Sequence, residues 1–532
     1  MSTPGIALDD FLSLDALAAI AGGQCHLTLK PAARARLRCS ADTLAYRIET
    51  GQIIYGINTG FGPLADRVLD PTQGDALQRG LIRHLSAGVG PLFSRQEVRA
   101  IIAARIANLV QGWSGVSEDA VDDLLQLLAA DCIPAVPQQG TVGASGDLTP
   151  LAHIVLAAIG EGRMLANTGT DSVPAAEALE RAGLHPLRLA GRAGLALVNG
   201  TSAMTAIAAL NGVSLRAAIA LTTRLTLGYG ELMGARVLAW HPRLAEARRH
   251  PGQRQASGWL WQLSQDSTRL ERGEPRPPAM APGTIASHPV PQDPYSLRCA
   301  PQELGAALDL LEFHNRTVET ELNAACDNPL IDVEQAMIHH GGNFYGQPVA
   351  YAADTLALAV IKLAVFAERA IARLTDESLN GGLPPFLSGG RPGLDSGFMG
   401  AQVTATALVA EMRTLAMPAS IQSIPTNANN QDVVTMGTIG ARRCRDLLDS
   451  LWRVLAIEAL ALAQGMDLCA RAGEPVTAFS SSSRQLYQQV REVADVLNTD
   501  RPLSADIEAV ATALRDYAGL PHPTDPDSLA LG

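Results

Sequence analysis

The sequence predicts a mainly α-helical protein, with a long-helix bundle as its core and a smaller N-terminal domain ahead of it. Three observations lead there. Hydrophobic residues make up 47% of the 532-residue chain but aromatics only 4%, so Ala, Leu, Val and Ile must fill the interior, a mix that favours helix packed on helix. From about residue 200 the chain is dominated by long Ala- and Leu-rich segments at 202–239, 301–327, 348–376, 397–416 and 433–472, too long and too apolar for a sandwich or a doubly wound sheet. Within them polar residues recur every three or four positions, the helical period. The change in character sets residues 1–198 apart as the N-terminal domain and makes 199–532 the bundle with its C-terminal helices.

The elements follow in order. Residues 10–50 place apolar and basic side chains at helical spacing around short turn signals, and YGINTGFGPLAD (55–66) breaks that pattern with three glycines in eight residues, a loop. Segments 96–112 and 117–131 read as amphipathic helices, the second opened by Ser117 with Asp119 in its first turn and closed off by Pro134 and Pro137. Thr149 reads as a helix cap and Pro150 as the first helical residue of the segment LAHIVLAAIGEGRML. Irregular stretches rich in Pro, Gly, Asn and Ser (274–300, 377–396 and 418–432) lie between the bundle helices, where function concentrates, and the tail after about 519 reads as mobile.

Composition excludes several classes. A net charge of −12 without any Lys/Arg run argues against nucleic acid as a partner. The seven cysteines form no Cys-x-x-Cys pair, which fits structural, reduced thiols in a cytoplasmic protein and fits neither a disulfide framework nor a zinc site. The N-terminus has acidic residues where a secretory signal would be basic. The apolar run TLALAVIKLAVF (355–366) is broken by Lys362 and flanked by Asp354, Glu368 and Arg369, so it reads as a buried core helix and no membrane partner is expected.

Residues 143–148 read Gly-Ala-Ser-Gly-Asp-Leu, and the tripeptide Ala144-Ser145-Gly146 can turn its own backbone into an electrophile. In a tight bend the Gly146 amide nitrogen attacks the Ala144 carbonyl carbon, closing a five-membered ring around Ser145. Loss of two waters then leaves a methylidene-imidazolone. Gly146 brings an unhindered nitrogen and a permissive backbone, Ser145 a hydroxyl that can be eliminated, and Ala144 an accessible carbonyl. The tripeptide lies just before a helix N-terminus, where free amides and the helix dipole favour the electron density that an electrophile accepts.

Polar clusters recur where helices are interrupted: Tyr55 in the glycine loop, His84 in LIRHLSAGVG, Asn199 in LALVNGTSAM, QDPYSLRC (292–299), NAACDNPL (323–330) and SIPTNANNQDVV (423–434). Taken one at a time, each suits a cap or a packed core group. Taken together, GTVGASGDLTPLAH, YGINTGFG, LVNGT, QDPYSLR, DNPL and GGNFYG resemble, in the same order, the aromatic amino acid lyase family of histidine, phenylalanine and tyrosine ammonia-lyases and related aminomutases. The resemblance runs from about residue 10 to 515.

It implies a 4-methylidene-imidazol-5-one made from Ala144, Ser145 and Gly146, with no metal and no added coenzyme, and a homotetramer whose active sites are shared between subunits. By the same resemblance Tyr55 is the base that removes the β-proton, Arg298 clamps the substrate carboxylate with help from Asn328, and Asn199, Tyr295 and Gln292 surround the electrophile and the amino group. Phe344 lines the ring pocket, Gly62 and Asn430 belong to the substrate site, and Asp147 assists cyclisation. The pair His84-Leu85 stands where histidine lyases carry Ser-His and phenylalanine lyases Phe-Leu, and an imidazole suits a phenol. Gln431 replaces the Glu of histidine lyases, and a neutral amide suits a neutral ring. Gly80 and Arg83 flank the selectivity pair where relatives usually differ.

The expected reaction is therefore non-oxidative deamination of L-tyrosine, with L-phenylalanine also used, through attack on the electrophile by either the substrate amine or its ring. The rivals are a tyrosine 2,3-aminomutase, a histidine ammonia-lyase and an inactive helical scaffold. A fumarase-like lyase lacks its Gly-Ser-Ser-x-Met signature here, and Gly143-Ala144-Ser145-Gly146 is not the Gly-x-Ser-x-Gly elbow of a serine hydrolase.

Overall fold

The computed structural model describes residues 4–166, 171–273 and 292–517, and among them eighteen α-helices accompany eight strands of three or four residues, joined in four separate pairs. The expected bundle segments are helices Ser202–Met233, Ala300–Leu322, Gln347–Thr375, Met399–Thr414 and Gly437–Arg471. The first stops short of residue 239 because Gly234 takes φ +63°, and Val237–Trp240 forms a separate 3-10 turn. Most of the irregular stretch 274–300 and the tail after 519 lie outside the described residues; within the former, Tyr295–Arg298 is a single helical turn.

The chain forms two compact units. The first takes the chain up to Val213 with Phe313–Thr355 and Pro418–Arg445; the second takes Ser214–Glu312, Leu356–Met417 and the chain from Asp446. In the first unit helix Arg95–Leu109 is central. The sequence pattern suggested an amphipathic helix, but every residue from Glu97 to Leu109 is buried. Its polar side chains are satisfied internally: Arg99 donates to the carbonyls of Ile20 (3.0 Å) and Leu128 (3.1 Å), Arg105 to those of Ala196 and Cys326 (both 3.1 Å), and Asn108 to those of Leu322 (3.0 Å) and Ala324 (2.9 Å). Periodicity cannot distinguish polar groups aimed at water from polar groups aimed at buried carbonyls. A capping box of Ser94 and Glu97 opens this helix, and Ser117 caps Glu118–Ala129 as expected. Helix Gly74–Leu85 packs on Leu148–Ala158 and on Ala193–Val198, so three short helices converge behind the Ala-Ser-Gly segment.

In the second unit the core is Leu- and Ala-rich, with Trp240 fully buried and its Nε1 donating to the Leu297 carbonyl at 2.8 Å. Helices Ser202–Met233 and Gln347–Thr375 are long and apolar enough to cross a membrane by length and composition, and 67% of each apolar window is buried within the protein. All seven cysteines are free, and four of them are buried.

One buried group in the first unit makes stability depend on pH. His314, on helix Ala300–Leu322, is 0% exposed with Nδ1 facing Asn315 Oδ1 at 3.1 Å, and burial pushes its imidazole down to about 4. A base whose folded pKa is depressed is neutral in both states above the unfolded value near 6.5. Below it the unfolded chain takes up the proton first, so stability is lost as pH falls from about 6.5 towards about 4. The accumulated effect is on the order of 3 kcal/mol. Urea midpoints of wild type and His314→Gln should therefore converge or cross as pH falls through that window; parallel curves would remove the assignment.

Candidate active site

The Ala144-Ser145-Gly146 segment is wedged between two strips of chain. On one side Gly146 and Gly200 form an isolated parallel bridge, the Asp147 amide donates to the Gly200 carbonyl at 2.8 Å, and Gly146 takes φ +68°. A Cβ on Gly146 would overlap that carbonyl, so the close approach demands glycine. On the other side the Met436 amide donates to the Val142 carbonyl at 2.9 Å, and Thr435 Oγ1 donates to the Gly143 carbonyl at 3.0 Å. The side chain that reaches Ser145 is Gln431, whose Nε2 donates to Ser145 Oγ over 3.4 Å while Thr426 Oγ1 holds its Oε1 at 2.8 Å. These residues suit the cyclisation: the backbone is bent and clamped from both sides, and the attacking nitrogen belongs to a residue without a side chain.

The helix behind the tripeptide begins earlier than the sequence suggested. It runs Leu148–Ala158 with Asp147 in the cap position, and Thr149, taken as the cap, instead donates to the Gly140 carbonyl at 3.1 Å. Pro150 is then the third helical residue, still within the turn whose N–H groups have no intrahelical partner. Asp147 is wholly buried and accepts from the Met204 amide at 2.6 Å and from Thr438 Oγ1. Burial pushes its carboxyl up to about 6 despite these hydrogen bonds.

The Tyr55 loop is built by internal bonds. Asn58 Oδ1 accepts from the Ile54 amide at 2.7 Å, and Thr59 Oγ1 accepts from Gly56 at 3.0 Å. Gln78, 0% exposed on helix Gly74–Leu85, donates to the Gly56 carbonyl (2.9 Å) and accepts from the Leu195 amide (2.8 Å), tying the loop to helix Ala193–Val198. The Tyr55 hydroxyl accepts from the Gly62 amide at 2.9 Å, so a backbone dipole points at the oxygen that would carry negative charge. The Tyr55 amide in turn donates to His340 Nε2 at 3.3 Å; burial, and then the charge of Arg192, hold that imidazole below its usual range and favour the neutral acceptor. His84, with Leu85, ends helix Gly74–Leu85; His84 is exposed, and its Nδ1 faces the Gly80 carbonyl at 3.1 Å.

Asp327 is the hub between these parts. Arg192 donates to both its oxygens (2.6 and 2.7 Å) with no exposure on either side chain, and also to the carbonyls of Ser114 (2.6 Å) and Asn328 (2.7 Å). Asn199 Nδ2 donates to Asp327 Oδ1 at 3.0 Å and to the Asn328 carbonyl at 2.9 Å. Asn328 Oδ1 accepts from Gly341 at 2.8 Å, just ahead of half-buried Phe344. Asn430 is exposed in a turn where Asn427, Ala428 and Asn429 all take positive φ, and the Thr426–Gln431 bridge closes that turn.

The aromatic amino acid lyase family matches residues 12–492 of this chain. The chain is 48% identical to a tyrosine ammonia-lyase of Cereibacter sphaeroides, covering 96% of this chain and 97% of that protein. It is 43% identical to a histidine ammonia-lyase of an Anaeromyxobacter species over 96% and 98% of the two chains. Its fold superposes on a tyrosine aminomutase from Streptomyces globisporus with a TM-score of 0.90 at 36% identity, covering 96% and 97%. The chain belongs to the aromatic amino acid lyase family. It is an aromatic amino acid ammonia-lyase, a carbon–nitrogen lyase.

Of the residues singled out in the lyase sequence, Tyr55, Gly62, His84, Leu85, Ala144, Ser145, Gly146, Asn199, Asn328, Phe344, Asn430 and Gln431 all belong to the first unit. Gln292, Tyr295 and Arg298 belong to the second. There Tyr295 is 71% exposed, its ring lies under the Arg298 guanidinium at 4.7 Å, and Arg298 Nε donates to the Asp293 carbonyl at 3.2 Å. Sequence reasoning missed Gln78, Arg192, Asp327 and His340. Asp327 opens the motif DNPL and His340 directly precedes GGNFYG, so both were within reach; nothing local marks Gln78 or Arg192, whose partners are distant in sequence.

Proposed function

We propose that this lyase removes ammonia from L-tyrosine to give trans-p-coumarate, and converts L-phenylalanine to cinnamate as a secondary reaction. The observation that carries the reading is Gln431: the side chain reaching Ser145 is a neutral amide, which suits an uncharged substrate ring better than an imidazole. The 48% identity to a tyrosine ammonia-lyase supports it. His84 adds a selectivity argument. A carbonyl can only accept, so Nδ1 facing Gly80 O carries the proton, and Nε2 of the neutral ring is left to accept from a phenol hydroxyl.

The ring made from Ala144, Ser145 and Gly146 supplies an electrophilic carbon that makes the β-proton or the departing nitrogen easier to remove. Tyr55, as the phenolate that the Gly62 N–H stabilises, takes the β-proton and becomes the neutral phenol. Arg298 pairs with the substrate carboxylate, assisted by Asn328, and Asn199, Tyr295 and Gln292 surround the amino group. The enzyme works as a homotetramer with sites shared between subunits. Exposed apolar side chains such as Leu358 (53%), Val403 (60%), Ile421 and Ile424 (both 64%) and Val433 (58%) support association. Seven free thiols suit a reducing compartment such as the cytoplasm.

The test is incubation with L-tyrosine, L-phenylalanine and L-histidine in parallel, with products separated by chromatography. Coumarate should dominate. β-Tyrosine would move the chain to the aminomutases, one of which shares this fold at a TM-score of 0.90, and urocanate would overturn the role given to Gln431. For His84→Phe, the ratio of kcat/KM for tyrosine over phenylalanine should fall at least about tenfold, and an unchanged ratio would exclude His84 from recognition of the phenol.

A further inference from the structure

The Asn199 carboxamide has one donor end and one acceptor end, and its neighbours decide which faces the ligand. Its Nδ2 is engaged by two acceptors, Asp327 Oδ1 at 3.0 Å and the Asn328 carbonyl at 2.9 Å. Asp327 has only acceptor atoms to offer, because Arg192 donates to both of its oxygens and the Asn328 amide donates to Oδ1 at 2.7 Å. A flipped amide would set its oxygen against two oxygens in a site where Asn199 is 3% exposed and Asp327 0% exposed, at a cost close to that of an unpaired buried polar group. Among the described residues no donor is bonded to Asn199 Oδ1, so that oxygen is the atom left for a ligand. Asn199 directly precedes Gly200, which touches Gly146.

We infer that Asp327, held by Arg192, is a positioning residue that fixes Asn199 with its NH2 inward and its oxygen outward, so that Asn199 meets the substrate as an acceptor for the α-ammonium group. The inference deepens the tyrosine reading and rests on it. Asp327 touches no substrate; it sets the polarity of the residue that does. The isosteric Asp327→Asn offers a donor in place of an acceptor and lets Asn199 turn over.

Because the effect is confined to the amine, two ligands separate it from a scaffolding role. In a Ser145→Ala background, where ligand is bound without turnover, calorimetric titration with L-tyrosine and with 3-(4-hydroxyphenyl)propanoate compares the same ring and carboxylate with and without the amine. Asp327→Asn should weaken tyrosine at least about tenfold, the scale of a charged hydrogen bond, and change the amine-free acid by less than about twofold. Equal weakening of both ligands, or of neither, would overturn the inference. Should Asp327→Asn not fold, Asp327→Ser, which also puts a group that can donate where the carboxylate could only accept, is titrated the same way with the same expectation. If the Ser145→Ala protein with Asp327 intact binds neither ligand, it is the tyrosine reading that fails, and the pair is replaced by whichever amino acid the wild type converts and its amine-free counterpart.

Discussion

Ser145→Ala is expected to fold and assemble as the wild type does while losing at least about three orders of magnitude in kcat/KM. The fold should tolerate the change because Ser145 is half-buried and its hydroxyl has a single long contact, 3.4 Å from Gln431, while the segment around it is held by backbone groups of Val142, Gly143, Asp147, Gly200 and Met436. Activity should not tolerate it, because Ser145 is the only residue of the three with a hydroxyl to eliminate. Circular dichroism and sedimentation measure the first half, and product formation from L-tyrosine the second. Turnover within about tenfold of wild type would mean that the reaction does not run through this segment.

Arg192→Ala is expected to cost about 3 kcal/mol of stability in the first unit, because it leaves the buried Asp327 carboxylate with only the more distant Arg105 guanidinium, at 3.9 Å, as counter-charge and strips donors from the carbonyls of Ser114 and Asn328. Replacing a buried pair as a whole by apolar groups can be nearly neutral, but removing one partner is not. Urea titration followed by far-UV circular dichroism should show a clear fall in midpoint. An unchanged midpoint would mean that the pair is solvated or replaceable, and the hub role of Asp327 would go with it.

Much of this was legible in the sequence because the signals were local. The bundle helices follow from segments longer than any strand, and Ser117 opens its helix because a cap acts within one turn. The tripeptide stands out for a chemical reason, since three adjacent residues carry everything the proposed ring requires. What failed depended on partners far along the chain. The polar residues of 96–112 suggested a wet face, but Arg105 reaches carbonyls at Ala196 and Cys326, 91 and 221 residues away. Thr149 was a reasonable cap by composition and lost the position to Asp147, whose carboxylate then serves Met204 and Thr438 rather than its own helix. The strand pairs are three or four residues long, too short for alternation to show, and the one formed by Leu330–Asp332 and Met337–His339 brings Asn328 and His340 together at its open end. Resemblance to the family named candidate residues for the site, but only the structure gave the chain of hydrogen bonds from Arg192 to Asp327 to Asn199.

The measurement that bears most directly on the central claim is the intact mass of the purified protein, with a proteolytic map across residues 140–150. A chain lighter than its sequence by two waters, with the loss confined to Ala144-Ser145-Gly146 and absent from Ser145→Ala, is the result this account predicts. A full-mass segment in protein that still deaminates L-tyrosine would contradict it.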